Sequence, residues 1–476
     1  MNMNTTRIAI IGGGSGGLMT AHLLGKRMRV PFEITLFEAS PRLGGKIRTP
    51  QFGAAPVSYE AGAAELYDYS RVGPDPLMEL VRELGLTTRF MDGKTVVMND
   101  RILKDDEDIR RQLGESTLKA LKAFARRARA SISPAEYYEA DWKEDNHDPL
   151  AAQRFSDLLA GVPDEAARKY ILASIHSDLA TEPHQTNAMY GLQNFLMNEP
   201  DYMRLYSIDG GIERLTHELA RCIPARVLLN HRVVRVEKTA EGLYRVLART
   251  HGQGFSDEFD FVVVALPNNW IPAVEWGGEK LARAMHAHHV HYDYPAHYLR
   301  VSLLFQNPFW REHIAGSYFM MDAFEGCCVY DETSRSDGTL FGVLGWLIAG
   351  EAALTLSNLD DAALIERVLD SLPTCLSRAR ELFLEGRVHR WVGSVNGLPA
   401  GYPAREPDSR HVPEPEDHPE LLVVGDYLFD STLNGVLDSA DTAVAFIVEE
   451  MEEDAAAPAG CDFQAVPQPA GVAATR

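Results

Sequence analysis

The chain has 476 residues, 45% of them hydrophobic and 24% charged, with a formal net charge of −22. That length exceeds one hydrophobic core and suits two associated domains. The acidity argues against nucleic acid and an anionic membrane surface as partners, because both demand a basic face.

No apolar run reaches the roughly 18 residues of a membrane-spanning helix. The five cysteines (Cys222, Cys327, Cys328, Cys375 and Cys461) have no repeated metal-ligand spacing. Their sparse, odd count, with no secretory signal, points to the cytoplasm. The adjacent Cys327 and Cys328 read as buried thiols, with a redox pair as the alternative.

Along the chain, residues 7–11 (RIAII) predict a buried strand, GGGSGG a turn, LMTAHLLGKRM a helix and residues 33–40 (EITLFEAS) a second strand. This is a βαβ unit of a parallel sheet. From Asp75-Pro76 the texture turns helical, through charged repeats at 106–130, to about residue 204. There Arg126, Arg127 and Arg129 read as a solvated face. After a turn and helix at 207–221 come the strands RVLLNHRVVRVEKT, YRVLART and FDFVVVALP. Residues 290–348 read as strands again and 360–385 as helix. The block from ELLVVGD onward reads as strand, turn and long helix, and the tail after Glu453 as disordered.

Gly12, Gly14 and Gly17 form a G-x-G-x-x-G fingerprint between strand and helix. The first glycine permits the turn, the second lets backbone approach a pyrophosphate, and the third lets helix and strand pack closely. Glu38, at the end of the second strand, is placed to accept hydrogen bonds from ribose hydroxyls. NAD and FAD share this pattern, so the choice between them rests on later residues.

Those residues are ASPRLGGKIRT (39–49), SYEAGAAEL (58–66), DGGIERL (209–215), HRVVRVEK (231–238) and VVGDYLFDSTLNGVLDSADTA (423–443). Together and in this order they resemble the flavin amine oxidase superfamily, which includes monoamine and L-amino acid oxidases, protoporphyrinogen oxidase and carotenoid desaturases. The resemblance implies an α/β fold: a Rossmann-like FAD-binding domain built from segments 1–75, 206–275 and 386–453. A second, mixed α+β substrate domain would comprise a helical part (76–205) and a sheet part (276–385), with 454–476 a disordered tail. It further implies that Arg42, Gly44, Gly45 and Lys46 form the glycine-rich turn after Glu38. Lys46 stands where the family has arginine, keeping the charge but losing the bidentate geometry, with Arg48 as a compensating cation. Val233 or Val234 would flank the adenine. Gly425 and Asp426 would contact the ribityl–pyrophosphate part, and Asn434, Gly435, Val436 and Leu437 the flavin ring.

HRWVGSVNGLPAGYP (389–403) resembles the strand and loop beside the flavin, making Trp391 a flavin-facing aromatic and Tyr402 a substrate-pocket wall; core packing is the alternative for both. The cysteine that attaches flavin covalently in monoamine oxidases is absent from it, so FAD is expected to be non-covalent. YPAHYLRVSLLFQNPFW (294–310) resembles a strand that carries a lysine near flavin N5, and here Arg300 stands in that place. Strand alternation puts it on one face with Tyr298 and Ser302. It would anchor an anionic substrate group or stabilise the reduced flavin, with a surface position as the alternative. Histidines 286, 288, 289, 291 and 297 lack partners at ligand spacing, and no metal is expected.

The function this implies is oxidation of an amine or amino acid, a small-molecule substrate, by hydride transfer to flavin N5 with oxygen as acceptor. Two alternatives are a desaturase or protoporphyrinogen-oxidase-like dehydrogenation and a flavin-binding protein with little turnover. The oligomeric state stays open, a homo-oligomer included.

Overall fold

In a computed structural model, the described residues are 5–71, 73–139, 149–197, 199, 201–335, 338–402, 405–429 and 431–456. Strand Thr6–Ile11 is the centre of a five-stranded parallel sheet. It is flanked by Phe32–Phe37 and Phe261–Val264, with Ala225–Leu228 and Leu421–Val423 at the edges. Both faces of this sheet are covered, which explains the unbroken apolar runs of its strands. Ile8 and Ile10 pack under helix Ser15–Arg27 and the long helix Leu433–Ala456. Ala9 and Ile11 face the other way, against Val236, Tyr244 and Val246 of an antiparallel sheet formed by Arg232–Lys238, Tyr244–Thr250 and Gln253–Phe259. Three separate stretches of chain therefore build the nucleotide-binding sheet.

The second unit is a seven-stranded mixed sheet in the order Phe383–Asn396, Pro295–Phe305, Gly342–Ala349, Cys327–Asp331, Tyr318–Met321, Val96–Met98 and Arg101–Leu103. Its helical cover includes Glu115–Ser131, Glu165–Leu179 and Ala188–Met197, which share one core with Tyr318, Met320, Cys328 and Tyr330.

Three expectations change. Residues 386–396 belong to this second sheet, because Phe383–Asn396 pairs antiparallel with Pro295–Phe305 along nearly its whole length. The stretch 76–205 is not purely helical: Val96–Met98 and Arg101–Leu103 extend the same sheet. Residues 454–456 continue the last helix, and the rest of the expected tail, with Cys461, lies outside the described residues. Arg126, Arg127 and Arg129 are exposed, as the charged repeat suggests. Among the described residues, no helix is long and apolar enough to cross a membrane.

Candidate active site

Two cavities meet at the carboxyl ends of the parallel strands, where open α/β sheets bind ligands. The larger, about 340 Å³, is lined by Gly12, Gly14, Glu38, Gly45, Val233, Gly425 and neighbours. The smaller, about 160 Å³, lies against the second sheet. Ser15, Lys46, Trp391, Asp426 and Val436 line both.

The glycine turn is shaped by contacts that admit no side chain. A Cβ on Gly12 (φ +114°) would lie 2.4 Å from the Ala265 carbonyl oxygen, and one on Gly17 would lie 2.0 Å from the Gly12 carbonyl oxygen. Gly14 differs: its nearest neighbour would be Gly45 Cα at 3.8 Å, and its open side is the larger cavity. Gly14 caps helix Ser15–Arg27 with no side-chain hydrogen bond, so first-turn N–H donors and the positive end of the helix dipole serve the cavity. Glu38 is fixed by Gly13 N–H (2.9 Å, to Oε2) and Ser40 N–H (2.7 Å, to Oε1), and its remaining lone pairs serve the cleft it lines. An uncapped helix, a side-chain-free approach and a held carboxylate fit a dinucleotide.

Other expected residues take different places. Arg42 is absent from the lining; its guanidinium donates to the Leu43, Ile47 and Gly45 carbonyls (3.0, 3.2 and 2.5 Å) and so ties its own turn. Gly44 (φ +105°) supports that turn while Gly45 faces the cleft. Lys46 Nζ donates to Asp426 Oδ2 and to the Ser394 carbonyl, both at 2.7 Å. The charge kept at this position therefore pairs across the two cavities, and Arg48 is exposed and lines neither. Val233 lines the cleft, whereas its neighbour Val234 on the same strand does not. Asn434 and Val436 line the smaller cavity, but helical periodicity turns Leu437 into the core, and Gly435 lines neither cavity.

Trp391 lines both cavities, its indole N–H donating to the Ala61 carbonyl (2.6 Å). Tyr402 is absent from both cavities; it stacks among His291, Tyr292 and Tyr294 beside a separate small pocket. The surface alternative for Arg300 fails: it is 1% exposed and lines the smaller cavity. Its Nη2 donates to Glu332 Oε1 (2.7 Å) and to the Glu60 carbonyl (3.1 Å), while Nη1 has no partner. Arg335, also buried, lies 3.4 Å from Glu60. Two arginines are thus balanced by two buried glutamates, which leaves Arg300 little net charge for an anionic substrate. His389, opposite Arg300 in the sheet register, is pushed down to about 4 by burial and by Arg48 and Arg300, so it is neutral.

Apart from Tyr298, which strand alternation places on one face with Arg300, sequence reasoning missed the rest of the smaller cavity. Tyr67, Tyr298 and Tyr330 line it beside Glu65. Glu65 accepts hydrogen bonds from Tyr330 (3.0 Å) and Tyr67 (3.3 Å). Burial raises the Glu65 carboxyl, and it raises Asp178 of helix Glu165–Leu179 well above the usual range, with Glu65 as the next cause. Burial also raises Tyr67, Tyr298 and Tyr330. For Glu65 the signal was the quoted SYEAGAAEL; nothing marked Tyr67, Tyr330 or Asp178.

Residues 15–448 match the family model for flavin containing amine oxidoreductase. The L-amino-acid oxidase of Gloydius halys is 23% identical over 287 residues, 55% of this chain and 52% of that protein. The chain spans about half the length of the curated relatives it matches first. Among solved structures, putrescine oxidase bound to putrescine aligns with a TM-score of 0.73 at 21% identity, covering 94% of this chain and 99% of the other. Cyclohexylamine oxidase from Brevibacterium oxydans aligns at 0.69 and 18%, covering 94% and 100%. At these identities the structural likeness establishes the fold.

Proposed function

Because the chain belongs to the flavin-containing amine oxidoreductase family, we propose that it uses non-covalent FAD to oxidise a small amine at the carbon beside nitrogen, with oxygen as the final acceptor. The observation that carries this reading is the junction of the two cavities. A dinucleotide cleft opens, through walls shared by Ser15, Lys46, Trp391, Asp426 and Val436, into a chamber lined by tyrosines and the carboxylate of Glu65. FAD held there supplies a two-electron acceptor for the substrate's C–H hydride.

The chain's own residues supply the rest. The Gly12–Gly14 turn and the helix start at Ser15 hold pyrophosphate, Glu38 the ribose hydroxyls and Val233 the adenine. Trp391, fixed by Ala61, and the Lys46–Asp426 pair bound the junction. The tyrosine walls exclude water and offer ring faces to a cation. Paired with Glu332, Arg300 adds no net anion-binding charge, which favours an amine over an amino acid.

The test is aerobic turnover of the purified protein with a panel of monoamines, diamines and amino acids, reading peroxide and ammonia together. Stoichiometric peroxide and ammonia from an amine support the reading. Turnover confined to amino acids, or to cyclic or polyene substrates, would replace it.

A further inference from the structure

An amine reaches the chamber as ammonium, since alkylamines, like lysine, have pKa values near 10. It can lose hydride from carbon only after a proton has left nitrogen, because the nitrogen lone pair must be free. Some group in the chamber has to take that proton.

Most of the lining cannot. Arg300 cannot accept a proton, and its charge is already set against Glu332. Lys46 and Asp426 are spent on each other at 2.7 Å. The tyrosines are acids held protonated by burial. Glu65 is what remains. Each of its oxygens accepts one tyrosine hydroxyl and keeps a free lone-pair direction. Among the described residues, no lysine or arginine forms an ion pair with it. The groups that face it are Tyr67 two residues along the chain, Tyr330 from Cys327–Asp331, and Tyr298 and Arg300 from Pro295–Phe305. Asp178, Arg335, Tyr318 and Cys328 lie close enough to interact with it as well. Burial raises the Glu65 carboxyl, while the Tyr330 hydroxyl, Arg335 and Arg300 favour its carboxylate form. The Nη1 of Arg300, in a residue that is 1% exposed and lines the same cavity, has no partner; a donor there suits the nitrogen lone pair that deprotonation of the ammonium leaves behind.

We propose that Glu65 receives the substrate's ammonium group and takes its proton, with Tyr67 and Tyr330 holding the carboxylate in place. The N–H bond breaks, its electron pair stays on nitrogen, and an O–H bond forms on Glu65. The released amine is neutral and the chamber gains no net charge. This assignment rests on the substrate being an amine.

Tetramethylammonium, which has no N–H and cannot be oxidised, tests recognition apart from turnover. Calorimetry on the FAD-loaded protein should show binding to wild type and at least tenfold weaker binding to Glu65→Gln. Rapid-mixing flavin reduction by an amine should slow at least tenfold at pH 7 in Glu65→Gln and recover towards the amine's own pKa. FAD content and melting temperature confirm that the variant is folded. Should Glu65→Gln lose FAD, Tyr330→Phe serves instead: it removes one donor to the carboxylate and should move the acid limb of the pH profile upward.

Wild type that ignores tetramethylammonium, or variants that keep its affinity and pH profile, overturn the assignment and leave amine oxidation standing. If tetramethylammonium binds through Glu65 but no amine reduces the flavin, the amine reading fails and the cation site stands.

Discussion

Single residues divide into those whose constraint is local and those whose meaning depends on distant partners. Gly12, Gly14, Gly17 and Glu38 were legible because a turn that admits no Cβ, and a carboxylate at a strand end, are written into a few consecutive residues. They also permit a sharp contrast. Gly14→Ala fits the protein, with 3.8 Å to its nearest neighbour, so its FAD-free melting temperature should be unchanged while FAD affinity collapses. Gly17→Ala meets a carbonyl at 2.0 Å and should cost about 1–3 kcal/mol in urea unfolding whether or not FAD is present. Glu38→Ala should weaken FAD by about 1.5–3 kcal/mol, the worth of a charged hydrogen bond, read as a dissociation constant by flavin fluorescence. Arg300→Met strands Glu332 in a site where both side chains are 1% exposed, and should destabilise by about 3–5 kcal/mol. Arg42, expected in the cofactor's glycine-rich turn, is engaged by the carbonyls of that turn. Glu65 went unmarked because Tyr330 lies 265 positions away.

Among the elements, those buried on both faces were read best. The apolar runs RIAII and FVVV became central parallel strands. Strand Phe383–Asn396 was assigned to the wrong unit because its residues alternate between half-buried and exposed, without the apolar run that marks a central strand. The histidines at 286–291 lie on helix Glu279–His291, which runs two residues into the stretch read as strand from 290. The helix buries His288 completely against Tyr427 (3.3 Å). Burial first, then Arg405 and neighbouring histidines, pushes His288 down to about 3 from 6.5. The unfolded chain therefore binds the extra proton between those values. This group makes stability fall by about 1.4 kcal/mol per pH unit as pH drops from 6.5 towards 3, and leaves stability above 6.5 untouched. Urea unfolding of His288→Gln across pH 4–8 should show a flatter acid limb than wild type; parallel limbs would place the acid sensitivity elsewhere.

On the scale of the whole molecule, one nucleotide cleft is assembled from three separated chain segments, and the second sheet closes a chamber against it. The sequence announced the cleft, through motifs in the right order, but the chamber's chemistry arises only when residues 60–67, 178, 298–300 and 330–335 converge. A cleft that holds FAD without a covalent bond should yield it on acid precipitation, with yellow flavin in the supernatant; flavin retained in the pellet would show attachment at a residue not considered. The central claim is that the chamber delivers an amine to that flavin. Anaerobic mixing of the FAD-loaded protein with amines, amino acids and non-amine compounds, followed at the flavin absorbance near the visible maximum, tests it most directly. The account predicts saturable bleaching by a small cationic amine, followed by return of the yellow form when oxygen is admitted. A flavin that stays oxidised with every amine, or is bleached only by compounds without an amine, would contradict it.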